Sequence, residues 1–137
     1  MNKIYLICLF AILYINSNAQ KEGNSKIIVH VSDTSKLFKR VKIAFINMDF
    51  IVKGLESDTL KTYPREFLNE AYLIATAIVN GHDVTLTGIW GSRKLNIFGY
   101  SVSPNDYKRV SYYKGSVEWK ILRLMAENIG GDLKFQD

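Results

Sequence analysis

The sequence predicts an α+β domain in which an N-terminal helix and a long C-terminal helix lie on one face of an antiparallel sheet of five to six strands. Three observations predict this class. An apolar stripe at helical spacing follows the first strand-like run, and a second stripe lies near the end of the chain. Short alternating segments separated by turn residues fill the region between the stripes. The length of 137 residues suits one such domain.

The first 19 residues have the pattern of a secretory signal peptide. Lys3 precedes an apolar run over residues 4–15, and the small residues Ser17 and Ala19 suit a cleavage site before Gln20. About a dozen apolar residues are short for a membrane span, and an uncleaved anchor or a buried strand is the alternative. We therefore expect an exported protein, periplasmic or extracellular, with no transmembrane segment after cleavage.

Cysteine usage and charge restrict the chemistry and the partners. Cys8 is the only cysteine, and it lies inside the apolar run, so cleavage would leave no disulfide, thiol nucleophile or lipid-anchoring residue. The formal net charge of +5 includes Lys3 and suits an anionic partner. For an exported protein, this favours an envelope protein, an anionic lipid surface or a polysaccharide over nucleic acid.

The mature chain is expected to begin with a flexible leader, a strand and a helix. Residues 20–25 are polar and predict the leader, and the β-branched residues 26–31 predict the first strand. The helix is predicted over residues 32–48, with Ser32 or Asp33 as its N-cap. An extended reading of residues 41–52 fits fewer positions than the helix does. The inner stripe of the helix consists of Leu37, Phe38, Val41, Ala44, Phe45 and Met48.

The middle of the chain predicts a series of strands. Residues 50–53 and 59–63 predict the second and third strands, and Pro64 marks an edge or an exit. The segment 66–79 fits either a helix, with Gly81 just past its end, or a strand. We favour strands over residues 71–79 and 82–90, paired through the turn Asn80–Gly81, because the alternating segment after the turn needs an antiparallel neighbour.

The last third predicts a strand, an aromatic segment and the second helix. Residues 95–102 predict a strand, and residues 107–113 suit either a last strand or an irregular cover. Ser116 is expected to cap a helix over residues 117–129 that Gly130 and Gly131 end. Leu133 and Phe135 are expected to return the tail to the core.

This order of elements resembles helix-grip or TBP-like α+β domains. The segments that carry the resemblance are SDTSKLFKRVKIAFINMDFIV, NGHDVTLTGIWG and SVEWKILRLMAENIGG, which together span nearly the whole mature chain. The chain is most similar to small exported bacterial proteins of uncharacterised function, and more distantly to the domains of the outer-membrane assembly lipoprotein BamC, from which it differs in lacking an anchoring cysteine. The resemblance implies a fold and no catalytic residues.

No catalytic constellation is identifiable, so we expect a protein that is not an enzyme and holds no cofactor. The two histidines, His30 and His82, have no second ligand at metal-binding spacing. The sequence contains no G-x-S-x-G elbow and no phosphate-cradling loop. Carboxylates of the middle segment fall on expected turns and strand ends, where solvated surface charge is the ordinary explanation.

Two surfaces are candidates for binding. The outer side of the first helix combines basic and apolar residues, a mixture that suits a membrane or protein partner unless a loop or the tail covers it. The aromatic segment places tyrosines beside basic residues, which suits contacts to sugar or another ligand. The first surface consists of Lys39, Arg40, Lys42, Ile43 and Ile46, and the second of Arg109, Tyr112, Tyr113 and Lys114.

The functional hypothesis is a non-enzymatic, exported binding or assembly domain of the bacterial cell envelope. The alternative is a carrier of a lipid or another small apolar ligand, held in the cleft between the C-terminal helix and the sheet. A carrier needs a cavity of roughly 300 Å³ or more, whereas a binding module is packed solid.

Overall fold

The structure, a computed structural model, describes residues 19–68, 71–92, 94–96, 99–101 and 106–137. These residues contain two helices and ten strands. The helices are α1 (Leu37–Asn47) and α2 (Val117–Ile129). The strands are β1 (Lys26–His30), β2 (Val52–Glu56), β3 (Thr59–Thr62), β4 (Arg65–Leu68), β5 (Ala71–Asn80), β6 (Asp83–Ser92), β7 (Lys94–Asn96), β8 (Gly99–Ser101), β9 (Lys108–Arg109) and β10 (Asp132–Gln136).

Eight strands form one antiparallel sheet, so the predicted α+β class is confirmed and the strand number is corrected. Six strands follow the order β10-β1-β6-β5-β3-β2, while β4 also pairs with β5 and β9 with β6. The expected five to six strands omitted the short strand β4 and the terminal strand β10. Residues 107–113, left open as a last strand or an irregular cover, contain the two-residue strand β9. The predicted strand over residues 95–102 lies partly outside the described residues, and its described parts belong to a separate two-stranded sheet, β7-β8.

The predicted central hairpin is confirmed, but its two-residue turn is Gly81–His82 and not Asn80–Gly81, because Asn80 pairs with Asp83 and closes the ladder. β5 and β6 pair in continuous register from Ala71 opposite Ser92 to Asn80 opposite Asp83. Gly81 in the turn has a φ of 58°, the left-handed conformation that this type of tight turn requires. The helical alternative for residues 66–79 is wrong, because the strand gains a partner along its whole length.

Inward side chains of neighbouring strands line up across the sheet to form the floor of the core. Leu60 lies opposite Ala77, Ala77 opposite Leu86, and Leu86 opposite Ile27. Phe135 of β10 continues this row beyond Ile27. Buried residues of both helices belong to the same hydrophobic cluster, so α1 and α2 cover one face of the sheet.

Helix α1 begins five residues later than the predicted start. The Asp33 carboxylate accepts hydrogen bonds from the Ser35 backbone N–H and hydroxyl, at 2.8 and 2.7 Å. These bonds form a local turn, so the Asp33 carboxylate does not cap the helix as predicted. The N-cap residue is Lys36, at φ 55°, and its side chain makes no capping hydrogen bond. The predicted inner positions Leu37, Val41, Ala44 and Phe45 are buried, whereas Met48 is half-buried and Phe38 is 37% exposed.

Helix α2 has the predicted bounds and caps. The Trp119 backbone N–H donates to the Ser116 hydroxyl at 3.2 Å. Gly130, at φ 76°, ends the helix. A Cβ on Gly131, whose φ is 151°, would collide with the His30 carbonyl oxygen, so glycine is needed for the sharp return into β10.

Helix α2 packs directly on the sheet at Gly88 of β6. A Cβ built on Gly88 would lie 3.0 Å from methyl carbons of both Leu122 and Val110. The missing side chain lets the helix approach the strand backbone closely. The helix and the sheet are therefore in contact at this point, where a ligand-holding cleft would have to open.

Both ends of the described chain are hydrogen-bonded to the domain. The segment of residues 20–25, expected to be a flexible leader, contains the buried Asn24 and Ser25. The Tyr112 N–H donates to the Asn24 carbonyl at 2.7 Å, and the Ser25 N–H donates to the Gln136 carbonyl at 2.7 Å. The expected return of Leu133 takes the form of β10, which pairs with β1 along its whole length.

Candidate functional site

Helix α1 presents the first candidate surface to solvent. Ile43 is 44% and Ile46 is 51% exposed, and both Lys39 and Lys42 are exposed beside them. Among the described residues, neither a loop nor the tail covers the two isoleucines. The helix contains no acidic residue, so this surface is both basic and apolar. We refer to Lys39, Lys42, Ile43 and Ile46 as the outer face of α1.

Arg40, which was predicted to belong to the same surface, is engaged elsewhere. One guanidinium nitrogen donates to the carbonyls of Ile129 and Gly130 at 2.7 and 3.0 Å. The other donates to the Asp33 carbonyl at 3.0 Å. The cation satisfies carbonyls at the end of α2, where the helix dipole favours positive charge. Arg40 therefore joins the two helices.

The turn before α1 contains a carboxyl group, that of Asp33, whose pKa is lowered. Hydrogen bonds from the Ser35 hydroxyl and backbone N–H lower the pKa of Asp33, and the positive charge of Arg40 lowers it further. Asp33 is thus held as a carboxylate that fixes the start of the helix. The hydrogen bonds of its carboxylate are local, to Ser35 two residues further on.

Tyr112 and Tyr113, predicted from the aromatic segment, line a groove beside α2. The groove has a volume of about 560 Å³ and runs along the solvent side of the helix. Arg123 and Glu127 form an ion pair in its wall, with a 2.9 Å contact between nitrogen and oxygen. The remaining lining residues, none of which was predicted to bind a ligand, are Gln20, Gly115, Ser116, Val117, Trp119, Lys120 and Leu124. We call this feature the α2 groove.

The other two residues of that predicted set, Arg109 and Lys114, do not line the groove. Arg109 belongs to β9, opposite Ile89 of β6, and a guanidinium nitrogen lies 3.5 Å from the Ser25 hydroxyl. Lys114 is exposed in the turn before α2 and does not line the groove. The structure thus places the two tyrosines in the wall of the groove with α2, and neither Arg109 nor Lys114 lines it.

A buried carboxylate beside the groove perturbs Tyr113. Glu118 is only 4% exposed, and among the described residues its Oε1 has no hydrogen-bond partner. The negative charge of Glu118 raises the pKa of Tyr113, and a hydrogen bond donated by the Tyr113 hydroxyl raises it further. Tyr113 therefore stays protonated to a higher pH than an ordinary tyrosine.

The histidines lie together at one end of the sheet. His30 Nδ1 is 2.7 Å from a carboxylate oxygen of Asp83, and the rings of His30 and His82 are 5.9 Å apart. His82 Nδ1 is 2.8 Å from the Val31 carbonyl. Within the described ranges, no three histidine, cysteine or acidic side chains come together as metal ligands.

The second face of the sheet is a feature that the sequence reading did not identify. Ile74 lies opposite Ile89, Thr76 opposite Thr87, and Ile78 opposite Thr85, with Ile78 and Ile89 exposed. Strict alternation along β5 and β6 contained this signal. Isoleucines and threonines share this face, and nothing in the described residues shows what covers it.

Comparisons with known proteins do not assign this chain. No protein-family profile matches the sequence, and no curated protein matches it significantly. In the part of the chain that the structure describes, neither helix has the length and apolar character needed to cross a membrane.

Proposed function

We propose that this protein is a non-enzymatic, exported binding or assembly domain of the bacterial cell envelope, with a helix-grip-like arrangement of its helices and sheet. The observation that carries the proposal is the outer face of α1, where two exposed isoleucines lie on the same side of the helix as two exposed lysines. Exposed apolar side chains grouped beside basic ones are typical of surfaces that bind a membrane or a protein partner.

The charge of this face indicates an anionic partner. Lys39 and Lys42 have no acidic neighbour within α1. Ammonium groups on flexible stems reach phosphate or carboxylate groups while the isoleucines enter an apolar layer, as in helices that lie on a membrane surface. An anionic lipid surface is therefore the favoured partner, because it supplies both kinds of contact.

The test is binding of the protein to lipid vesicles. We expect the protein to sediment with vesicles that contain phosphatidylglycerol and not with vesicles of phosphatidylcholine alone. The double substitution Lys39→Glu and Lys42→Glu should weaken this binding at least about tenfold, because each basic residue near an anionic surface contributes about 1 kcal/mol. The pair Ile43→Ser and Ile46→Ser should weaken it independently of salt.

A matched control changes the same charge elsewhere. Lys61 and Lys134 are exposed on strands of the sheet, and Lys61→Glu with Lys134→Glu changes the net charge equally. Equal loss of binding in both double variants would indicate attraction by net charge alone. Unchanged binding after reversal of Lys39 and Lys42 would remove α1 as the contact surface, and retention of anionic polysaccharide in place of vesicles would identify a different partner.

A carrier function is the second candidate, and the α2 groove is the observation that favours it. A volume of about 560 Å³ is large enough for a small apolar ligand, and the exposed Val117 and Leu124 line it. The groove lies on the solvent side of α2, however, and Leu122 contacts Gly88 on the sheet side. A carrier would therefore use the surface of the helix and not a cleft beneath it.

Native mass spectrometry of the secreted protein tests the carrier function. A bound lipid or other apolar ligand, lost in the variant Leu124→Glu, would support it. A secreted protein with no bound ligand, whose α2 groove also fails to take up a fluorescent fatty acid, would contradict it.

A further inference from the structure

A hydrogen bond in the α2 groove links Gln20 to the largest side chain of the core. The Trp119 indole N–H donates to the Gln20 side-chain carbonyl at 2.6 Å. An indole nitrogen only donates, so the acceptor atom must be Oε1 and not the amide nitrogen. Trp119 itself is buried between the rings of Tyr112 and Phe135, at centroid distances of 5.9 and 6.1 Å.

The segment that follows Gln20 is held by hydrogen bonds within itself and by bonds to Tyr112. The Lys21 N–H donates to the Asn24 side-chain oxygen at 2.7 Å, and the Gly23 N–H donates to the Tyr112 carbonyl at 3.0 Å. These bonds hold the chain against the wall of the groove up to Gln20. The predicted signal cleavage falls immediately before this residue, so the new chain end would form inside the groove.

We propose that Gln20 becomes the first residue of the mature protein and is cyclised to pyroglutamate, and that the α2 groove is the seat of this modified end. The proposal rests on the proposed export. In the cyclisation, the α-amino nitrogen bonds to the side-chain carbonyl carbon, the bond from that carbon to the amide nitrogen breaks, and ammonia leaves. No oxidant, reductant or cofactor is needed.

The seat suits both the reaction and its product. The Trp119 N–H points at the oxygen on which negative charge develops during the attack, and the reacting groups belong to one residue. Oε1 is retained as the carbonyl oxygen of the lactam. The buried Trp119 indole N–H therefore keeps the same hydrogen-bond acceptor after cyclisation.

Charge in the groove favours the cyclised end over a free amine. A free α-amine carries a positive charge over much of the neutral range. Lys120 and Arg123 line the same groove, and Lys21 follows in the chain. Among the described lining residues the one acid, Glu127, pairs with Arg123, and the Glu118 carboxylate beside the groove is buried and acts on the Tyr113 hydroxyl. Cyclisation removes the added positive charge from this surrounding.

The first test is the mass and end group of the full chain expressed with its own leader in a secreting bacterial host. We expect a chain that begins at Gln20, lacks the mass of one ammonia, and resists Edman degradation until a pyroglutamyl peptidase is added. A chain that begins at Gln20 with a free amine, or at another residue, would overturn the inference and leave export intact. A retained leader would overturn the proposed export as well.

The second test asks whether the groove holds the modified end. Each of the two tryptophans gives one indole N–H signal in the NMR spectrum of labelled protein. We expect the Trp119 indole to exchange with solvent about tenfold more slowly in the wild-type protein than in Gln20→Ala, because one hydrogen bond is lost. The Trp90 indole is the internal control and should not change. Equal exchange of Trp119 in both proteins would remove the groove as the seat.

A third variant separates the acceptor from the cyclisation. Gln20→Glu keeps a side-chain carbonyl but cyclises far more slowly. Its mature form should retain a free amine and show weaker Trp119 protection than the cyclised protein. Protection equal to that of the cyclised protein would show that the ring contributes nothing to the seat and would overturn that part of the inference.

Discussion

Arg40 shows how the role of a side chain depends on what the fold brings near it. In the sequence it is one of several basic residues on the outer side of α1. In the structure its guanidinium reaches the last carbonyls of α2, which lie 89 and 90 positions away along the chain. Sequence periodicity places Arg40 on a helix face and contains no information about this distant acceptor.

Arg40→Ala should lower the free energy of unfolding by about 1–2 kcal/mol, because carbonyls at the end of α2 lose a charged donor. Urea unfolding followed by circular dichroism measures the change. Arg40→Lys should recover only part of the loss, since an ammonium cannot reproduce the planar fork. Lys39→Ala is the matched control and should change the stability by less than about 0.5 kcal/mol. Similar losses in Arg40→Ala and Lys39→Ala would contradict the assigned role.

Glu118 gives a prediction that depends on pH. It raises the pKa of Tyr113 above the ordinary value of 10.0, so the folded state holds the phenol proton more tightly than the unfolded state. The resulting stabilisation is complete below that ordinary value and is lost as the pH rises through the folded-state pKa. Glu118→Gln should move the Tyr113 titration, observed by NMR, toward lower pH. Glu127→Gln should leave it in place, and an equal shift in both variants would contradict the pairing.

At the scale of elements, the contact of α2 with β6 depends on a missing side chain. Gly88→Ala places a methyl group 3.0 Å from side-chain atoms of both Leu122 and Val110. We expect a loss of about 1–3 kcal/mol in the free energy of unfolding, because neither buried neighbour has space to retreat. Urea unfolding is again the measurement.

The control for this substitution is Gly54→Ala in β2. A Cβ at Gly54 has no heavy atom within 4 Å, so overpacking does not arise there. The two variants share the same change in glycine freedom and differ in packing. If Gly88→Ala were no less stable than Gly54→Ala, the result would contradict the close packing of α2 on β6 at Gly88.

Elements with local signals were predictable, and those that depend on distant partners were not. Ser116 and Gly130 marked both ends of α2, and the Asn80–Gly81 pair located the turn of the central hairpin to within one residue of its actual place, Gly81–His82. Asp33 misled the prediction because its carboxylate prefers the neighbouring Ser35 to the helix N-terminus. β10 is short, and its partner β1 lies at the other end of the domain sequence. Its pairing therefore could not be predicted from the local pattern.

For the whole molecule, we predict a single cooperative unfolding transition. Both helices and the central strands contribute to one hydrophobic cluster, and β10 packs against it through Leu133 and Phe135. Tryptophan fluorescence and far-ultraviolet circular dichroism should therefore give coincident denaturation curves. Separate midpoints for the two signals would show that part of the domain unfolds independently.

The candidate surfaces were predictable to different extents. Ile43 and Ile46 could be assigned to the outer face of α1 from helical spacing alone, and both are exposed. Tyr112 and Tyr113 were assigned from their aromatic character, but the α2 groove also needs Gln20, which lies 99 positions before Trp119. Because the groove is formed by segments this far apart in the chain, no local sequence pattern predicts it.

The meeting of the two chain ends has a consequence for engineering. The Asn24 side chain donates to the Asp137 carboxylate at 2.9 Å, so a short glycine and serine linker can join the C-terminus to the start of the domain. New ends opened at Gly81, in an exposed two-residue turn, would give a circular permutant with the same sheet. In that permutant Gln20 follows the linker through a peptide bond and has no free α-amine. It therefore cannot cyclise, and its side-chain amide stays intact.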